Sequence, residues 1–198
     1  MKKSLIALAV LAASGAAMAQ SSVTLYGIVD AYVGQTSTTL TSTSAKVKQT
    51  VVNSSGFNNS RWGMKGAEDL GGGLKANFTL EGGFAADTGA GNAGLFDRKA
   101  TVGLSGAFGA VDLGRNYTAY DALRGATNNQ YDSNFATTGT VWNNGVRDYT
   151  SRISNSIVYA SPSFGGISGA VAYGLGENKN LAPANAGGKA TDNLSMHI

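Results

Sequence analysis

Residues Ser60–Phe84 read SRWGMKGAEDLGGGLKANFTLEGGF. From Leu74 the segment alternates without a slip. Leu74, Ala76, Phe78, Leu80, Gly82 and Phe84 fall on one face, and Lys75, Asn77, Thr79 and Glu81 on the other. A β-strand sends successive side chains to opposite faces, so the spacing gives one apolar wall and one polar, charged wall. Glu68, Asp69 and Leu70 lead into Gly71, Gly72 and Gly73, where glycine accepts the positive φ of a tight turn. The stretch therefore predicts a hairpin of about ten residues per strand, the length a transmembrane β-strand needs. A soluble sandwich also alternates in this way, and the choice of solvent rests on the rest of the chain.

The N-terminus bears on that choice. Met1-Lys2-Lys3 is a basic start, Leu5 to Ala13 a short apolar run, and Ala17-Met18-Ala19 a small-residue cleavage site. These three parts in order predict a secretory signal peptide over 1–19, with Gln20 opening the mature chain. Beyond it no apolar run is long enough for a membrane-spanning helix. Cysteine is absent, so the exported chain has no disulfides. The formal charge of +3 includes Lys2 and Lys3, leaving +1 on the mature chain. With no basic stripe interleaved with aromatics, nucleic acid is not an expected partner.

Further strands are expected at Val23 to Val33, Arg61 to Gly66, Arg98 to Gly106, Val111 to Tyr117, Arg152 to Ala160 and Ile167 to Leu175. An eighth begins at Leu194. Thr36 to Ser55 reads as a long solvated loop or a strand extension. In Arg98 to Leu104 the alternation is poor, because Ala100, Val102 and Leu104 share the face of Arg98, and Val111, Leu113 and Arg115 likewise sit together. Either the polarity of the faces changes there or these strands pack on protein. Tyr120 to Thr150 has no sustained period, and loops of that length are usually functional or disordered. Short connections at Gly71 to Gly73, Phe108 to Ala110 and Pro162 to Gly166 alternate with long ones, including Glu177 to Asp192. Outer-membrane barrels show this asymmetry, and a sandwich has no reason to keep its long loops at one end. The expectation is an all-β, transmembrane antiparallel β-barrel.

With the segments placed, the chain resembles the Gram-negative general porins, in particular their β-proteobacterial branch. The resemblance is carried by Ser22-Val23-Thr24-Leu25-Tyr26-Gly27, by Ser60 to Gly66 with Glu68-Asp69-Leu70-Gly71, by Leu113-Gly114-Arg115-Asn116-Tyr117, and by Arg152 to Tyr159. It implies a homotrimer of about sixteen-stranded barrels in the outer membrane, with no cofactor, passing ions and small hydrophilic solutes. About eight of those strands are present, so residues 20–198 are expected to be the N-terminal part of a longer barrel. The third long loop, about 120–150, would fold into the lumen as a constriction. It lacks the Pro-Glu-Phe-Gly-Gly run of the enteric branch, and its acids are placed only loosely.

In such porins wall arginines face loop acids across the neck. Motif position assigns Arg61 and Arg98 to that wall, with Arg152 a third member. Strand parity independently turns Arg61 and Arg152 inward. Asp121 and Asp132 are the best acids for the loop side, with Asp148 a weaker choice. Asp30, Lys65, Lys75 and Glu81 are expected to line the lumen, and Arg115 to lie nearer a subunit interface. The alternative function is a non-conducting barrel serving as anchor or adhesin. An enzyme is not expected: the single histidine, His197, is near the last residue, and no Gly-x-Ser-x-Gly elbow occurs.

Overall fold

The computed structural model describes residues 22–39, 45–127, 151–176 and 192–198. The signal segment, Asp132 and Asp148 lie outside these described residues. Ten strands and one helix are present among them: β1 Ser22–Ile28, β2 Ala31–Thr39, β3 Lys46–Ser54, β4 Arg61–Gly71, β5 Leu74–Gly83, β6 Lys99–Gly106, β7 Gly109–Tyr117, α1 Ala119–Thr127, β8 Arg152–Ala160, β9 Ala170–Gly174 and β10 Asn193–His197. Eight of them form one antiparallel sheet in the order β1-β4-β5-β6-β7-β8-β9-β10, and β2 and β3 pair separately.

Register shows why the sheet has two solvents. One cross-strand row runs Phe78, Val102, Leu113, Ile157, Tyr173 and Leu194. The neighbouring row on the same face runs Ala76, Leu104, Val111, Tyr159, Val171 and Met196. Most of these large apolar side chains are exposed, Val102 at 60% and Leu194 at 63%. Water would penalise so continuous an apolar surface, whereas lipid does not. A row on the opposite face runs Thr24, Lys65, Thr79, Thr101, Gly114, Ser156, Gly174 and Asn193, every one polar or glycine. The polar face is the inner one.

The short turns follow from local chemistry. At the β4–β5 turn Gly72 and Gly73 have φ of 61° and 79°, and the amide of Gly71 donates to Asp69 Oδ1 at 2.9 Å, fixing the irregularity between Asp69 and Gly71. At the β8–β9 turn Gly165 and Gly166 have φ of 60° and 90° under a bridge between Phe164 and Ile167. Two consecutive positive φ values twist a hairpin in the sense its strands require.

Of the two readings open for Thr36 to Ser55, the described residues follow the strand extension: they supply the far part of β2 and all of β3. Three sequence expectations change. The first strand is not continuous to Val33 but breaks at Val29–Asp30, and Asp30 makes its contacts at that break. Its carboxylate accepts the backbone amides of Gly56, Phe57 and Asn58 at 2.9, 2.9 and 2.7 Å, anchoring the matching break between β3 and β4. The poor alternation of the fourth strand disappears because β6 begins at Lys99: Thr101, Gly103 and Ser105 lie inward, Ala100, Val102 and Leu104 outward. Neither a polarity change nor protein packing is needed to explain it. Finally, Ile153 is not outward. Between Gly114–Ser156 and Asn116–Ile153 the register shifts by one residue on β8, at Asn155 with φ 53°. This bulge reverses the parity of everything before it.

Candidate functional site

The inner face carries a chain of contacts at the end of the sheet where the long connections begin. Glu81 is its hub. Its Oε1 accepts Arg98 Nε at 2.7 Å, its Oε2 accepts the Tyr26 hydroxyl at 2.9 Å, and Arg61 Nε stands 3.8 Å from Oε2. Arg98 continues the chain by donating from Nη2 to the Tyr117 hydroxyl at 3.3 Å. Arg152 donates from its own Nη2 to the same oxygen at 2.6 Å and lies 4.3 Å over the centre of the Tyr117 ring. Among the described residues three guanidiniums thus stand in one row with a single carboxylate in contact with them. Arg98 and Glu81 are the more buried pair, their side chains 9% and 11% exposed; Arg61 is 25% exposed.

Local structure places each member. Arg61 opens β4, and register sets it beside Ile28 on one side and Gly83 on the other. Glu81 pairs with Gly63 and with Lys99 on the inner face. Gly63 leaves the room: a Cβ there would sit 2.9 Å from the Tyr26 ring. Arg98 precedes β6, so strand parity does not govern it. Its own amide donates to the Glu81 carbonyl at 3.1 Å, and its side chain turns to the carboxylate of the same residue.

The structure brings the three expected wall arginines, Arg61, Arg98 and Arg152, into one row with Glu81, although parity does not explain Arg152. After the Asn155 bulge, Arg152 is opposite Tyr117, and it is the stack on that ring that aims it. Lys65 lies on the inner face with its Nζ 5.6 Å from the centre of the Tyr26 ring. Lys75 shares that face further along β5, opposite Ser105. Arg115 is in register with outward Ala100, but its guanidinium is tied to the Asp97 carbonyl and to Ser154 Oγ at 2.9 Å. Sequence reasoning missed Tyr117 as a member of the row. Its position shares parity with Val111, Leu113 and Arg115, and only its place directly after Arg115-Asn116 in the motif marked it.

The helix stands over the same face. Thr118 caps it by accepting the Asp121 amide at 3.1 Å, and Asp121 pairs with Arg124 Nε at 2.9 Å one turn on. Ala119, 1% exposed, packs with Ile153 and Ala172, and the Tyr120 amide donates to Ser195 Oγ at 3.0 Å. Ala172 and Ser195 belong to an inner row with Val158. So the start of the third long connection turns onto the inner wall, and Asp121 arrives there with a basic partner of its own.

An apolar outer face, a polar inner face, and an arginine row with a loop folded against that inner wall define a barrel wall of the outer-membrane type. The chain belongs to the Gram-negative porin family, whose sequence pattern matches residues 5–197. Outer membrane porin protein 32 of Delftia acidovorans is 42% identical over 198 residues, 96% of this chain and 54% of that protein. An outer membrane porin protein of Bordetella pertussis is 36% identical over 214 residues, 98% of this chain and 54% of that protein. Among solved structures, an anion-selective porin from Comamonas acidovorans superposes with a TM-score of 0.64 at 36% identity, over 81% of this chain and 48% of that one. The chain spans about half the length of the curated relatives it matches. Its place, like theirs, is the outer membrane.

Proposed function

We propose that the protein forms part of a water-filled channel for passive diffusion of ions and small hydrophilic solutes, and that the row Arg61–Glu81–Arg98–Tyr117–Arg152 lines its neck. The observation that carries this reading is the row itself, charged and inward, on a sheet whose other face carries two unbroken apolar rows from β5 to β10. No bond is made or broken by such a wall. Fixed charges between low-dielectric walls raise the local concentration of counter-ions and sort solutes by size and sign. Among the described residues three guanidiniums stand to one carboxylate in the row, a balance that favours anions, and the α1 segment on the inner wall supports a loop that narrows the passage. Asp121 belongs to that loop, and Lys65 and Lys75 add positive charge to the lumen below it. The apolar rows face membrane lipid. The assembly is a homotrimer, with Arg115 at the outer face the residue to substitute when the interface is sought.

Reconstitution tests the reading. Liposomes carrying the protein should swell in small sugars, and planar bilayers should show ohmic steps; absence of both would refute it and leave an anchor or adhesin. Substituting Arg61→Ala together with Arg98→Ala should move the reversal potential towards cations. An unmoved potential would remove those two arginines from the neck.

A further inference from the structure

Arg152 differs from its neighbours in the row. Arg61 and Arg98 approach Glu81, whereas Arg152 has no carboxylate within salt-bridge distance among the described residues. Its Nε is buried without a hydrogen-bond partner, its Nη1 makes a long 3.4 Å contact to Ser151 Oγ, and its short bond is the one from Nη2 to Tyr117. Tyr117 is thus the group that fixes it. The ring supports the guanidinium from below by a cation–π contact, and the hydroxyl oxygen accepts from the edge. The same oxygen accepts from Arg98 Nη2. Two cations on one acceptor are held within about 6 Å of each other, closer than like charges choose without a shared partner.

We infer that Tyr117 is a positioning residue of the neck: its hydroxyl clamps Arg98 and Arg152 together on the inner wall and thereby sets the ionic selectivity that the arginines supply. The inference rests on the channel reading above and adds a residue that carries no charge and that strand parity places outward. Two accepted bonds leave the Tyr117 hydroxyl proton directed away from both guanidiniums, so the clamp presents a donor as well as two cations. Without the oxygen, repulsion parts the pair. Arg152, held by no acid among the described residues, is the one that moves.

The decisive variant is Tyr117→Phe, which keeps the ring and removes the acceptor. In planar bilayers under a salt gradient at about 0.1 M, the anion-to-cation permeability ratio should fall by about twofold, where charge is least screened. The same substitution placed in an Arg98→Ala, Arg152→Ala background should change nothing, because no pair is left to clamp. Equal ratios for wild type and Tyr117→Phe would overturn the inference, and so would an effect that persists undiminished in the double-alanine background. A chemical readout separates this failure from failure of the channel reading. Modification of Arg152 by a dicarbonyl reagent, followed by peptide mass spectrometry, should be faster in Tyr117→Phe whether or not current flows; equal rates would overturn the clamp. If Tyr117→Phe does not assemble, Arg152→Lys replaces it. Lysine keeps the charge but loses the planar stack, and selectivity should fall as for Tyr117→Phe; an unchanged ratio would refute the clamp.

Discussion

Glu81→Gln tests the electrostatics of the row most sharply. The carboxylate is the one negative charge in direct contact with Arg98 and Tyr26, and it stands 3.8 Å from Arg61. Glutamine keeps its carbonyl oxygen to accept from Arg98 Nε and turns its NH2 to Tyr26, whose hydroxyl can accept as well as donate, so the change is mainly in charge rather than shape. Alanine would instead leave Arg98, 9% exposed, without its partner, a disruption that costs about 3–5 kcal/mol for a buried pair. A unit charge about 5 Å from a permeating ion is worth about 0.8 kcal/mol at the dielectric of water. Screening at about 0.1 M salt leaves about 0.5 kcal/mol of that, or about twofold per ion. Removing a negative charge helps the anion and hinders the cation, so the permeability ratio should rise by about four- to fivefold. At about 1 M the Debye length shrinks to about 3 Å and the same substitution should change the ratio less than twofold. Reversal potentials across a salt gradient at the two ionic strengths measure both values. A ratio that falls, or one equally changed at both salts, would show that Glu81 does not sense the permeating ion.

Two other perturbations address the wall and the hairpin. Val102→Arg puts a charge on the outer face, where Val102 is 60% exposed, and should destabilise the barrel in bilayers by about 2–4 kcal/mol if the site is near the midplane; unfolding by denaturant in vesicles would register it, and a cost near zero would deny that this face meets lipid. Asp30, in the break between β1 and β2, is held below the usual carboxylate range first by the Asn58 amide and then by those of Gly56 and Phe57. A depressed value means the anchor is at full strength above the ordinary aspartate pKa of about 3.9 and is lost as pH falls through the lower, folded value. Hydrogen exchange at the amides of Gly56, Phe57 and Asn58 should therefore quicken only in that acidic window, and Asp30→Asn should remove the pH dependence; persistence in the variant would assign it elsewhere.

Much of this architecture is legible in the sequence because lipid and water act on alternate residues. The stretch Leu74 to Glu81 shows the pattern in full, and the structure repeats it across the outward row from Phe78 to Leu194. Turns are legible for an equally local reason, since paired glycines at Gly72–Gly73 and Gly165–Gly166 accept a backbone that other residues resist. The β2–β3 hairpin is legible only as one of two readings. Its threonines, serines and glutamines are equally at home in a solvated loop or a strand extension, and no residue of either strand is fully buried to impose a contrast that a reader could count.

The arginine row exposes a different limit, because its geometry depends on two places where alternation fails. Arg98 stands one residue before β6, and its side chain is free of strand parity; counted as a strand residue, it made a regular strand look irregular. Asn155 inserts one residue into β8 and inverts the faces beyond it. The bulge sends Ile153, apolar and 6% exposed, to the inner wall, where it receives Ala119 of the helix. It also places Arg152 opposite Tyr117, from which the stack and the short bond follow. One extra residue thus seats the start of the long connection and aims the last arginine of the row. An ideal ladder from Arg152 to Ala160 would turn Ile153 outward to lipid and leave the helix without its apolar seat. Asparagine suits the position because it tolerates a positive φ better than β-branched residues such as Ile153, Ile157 and Val158 of the same strand.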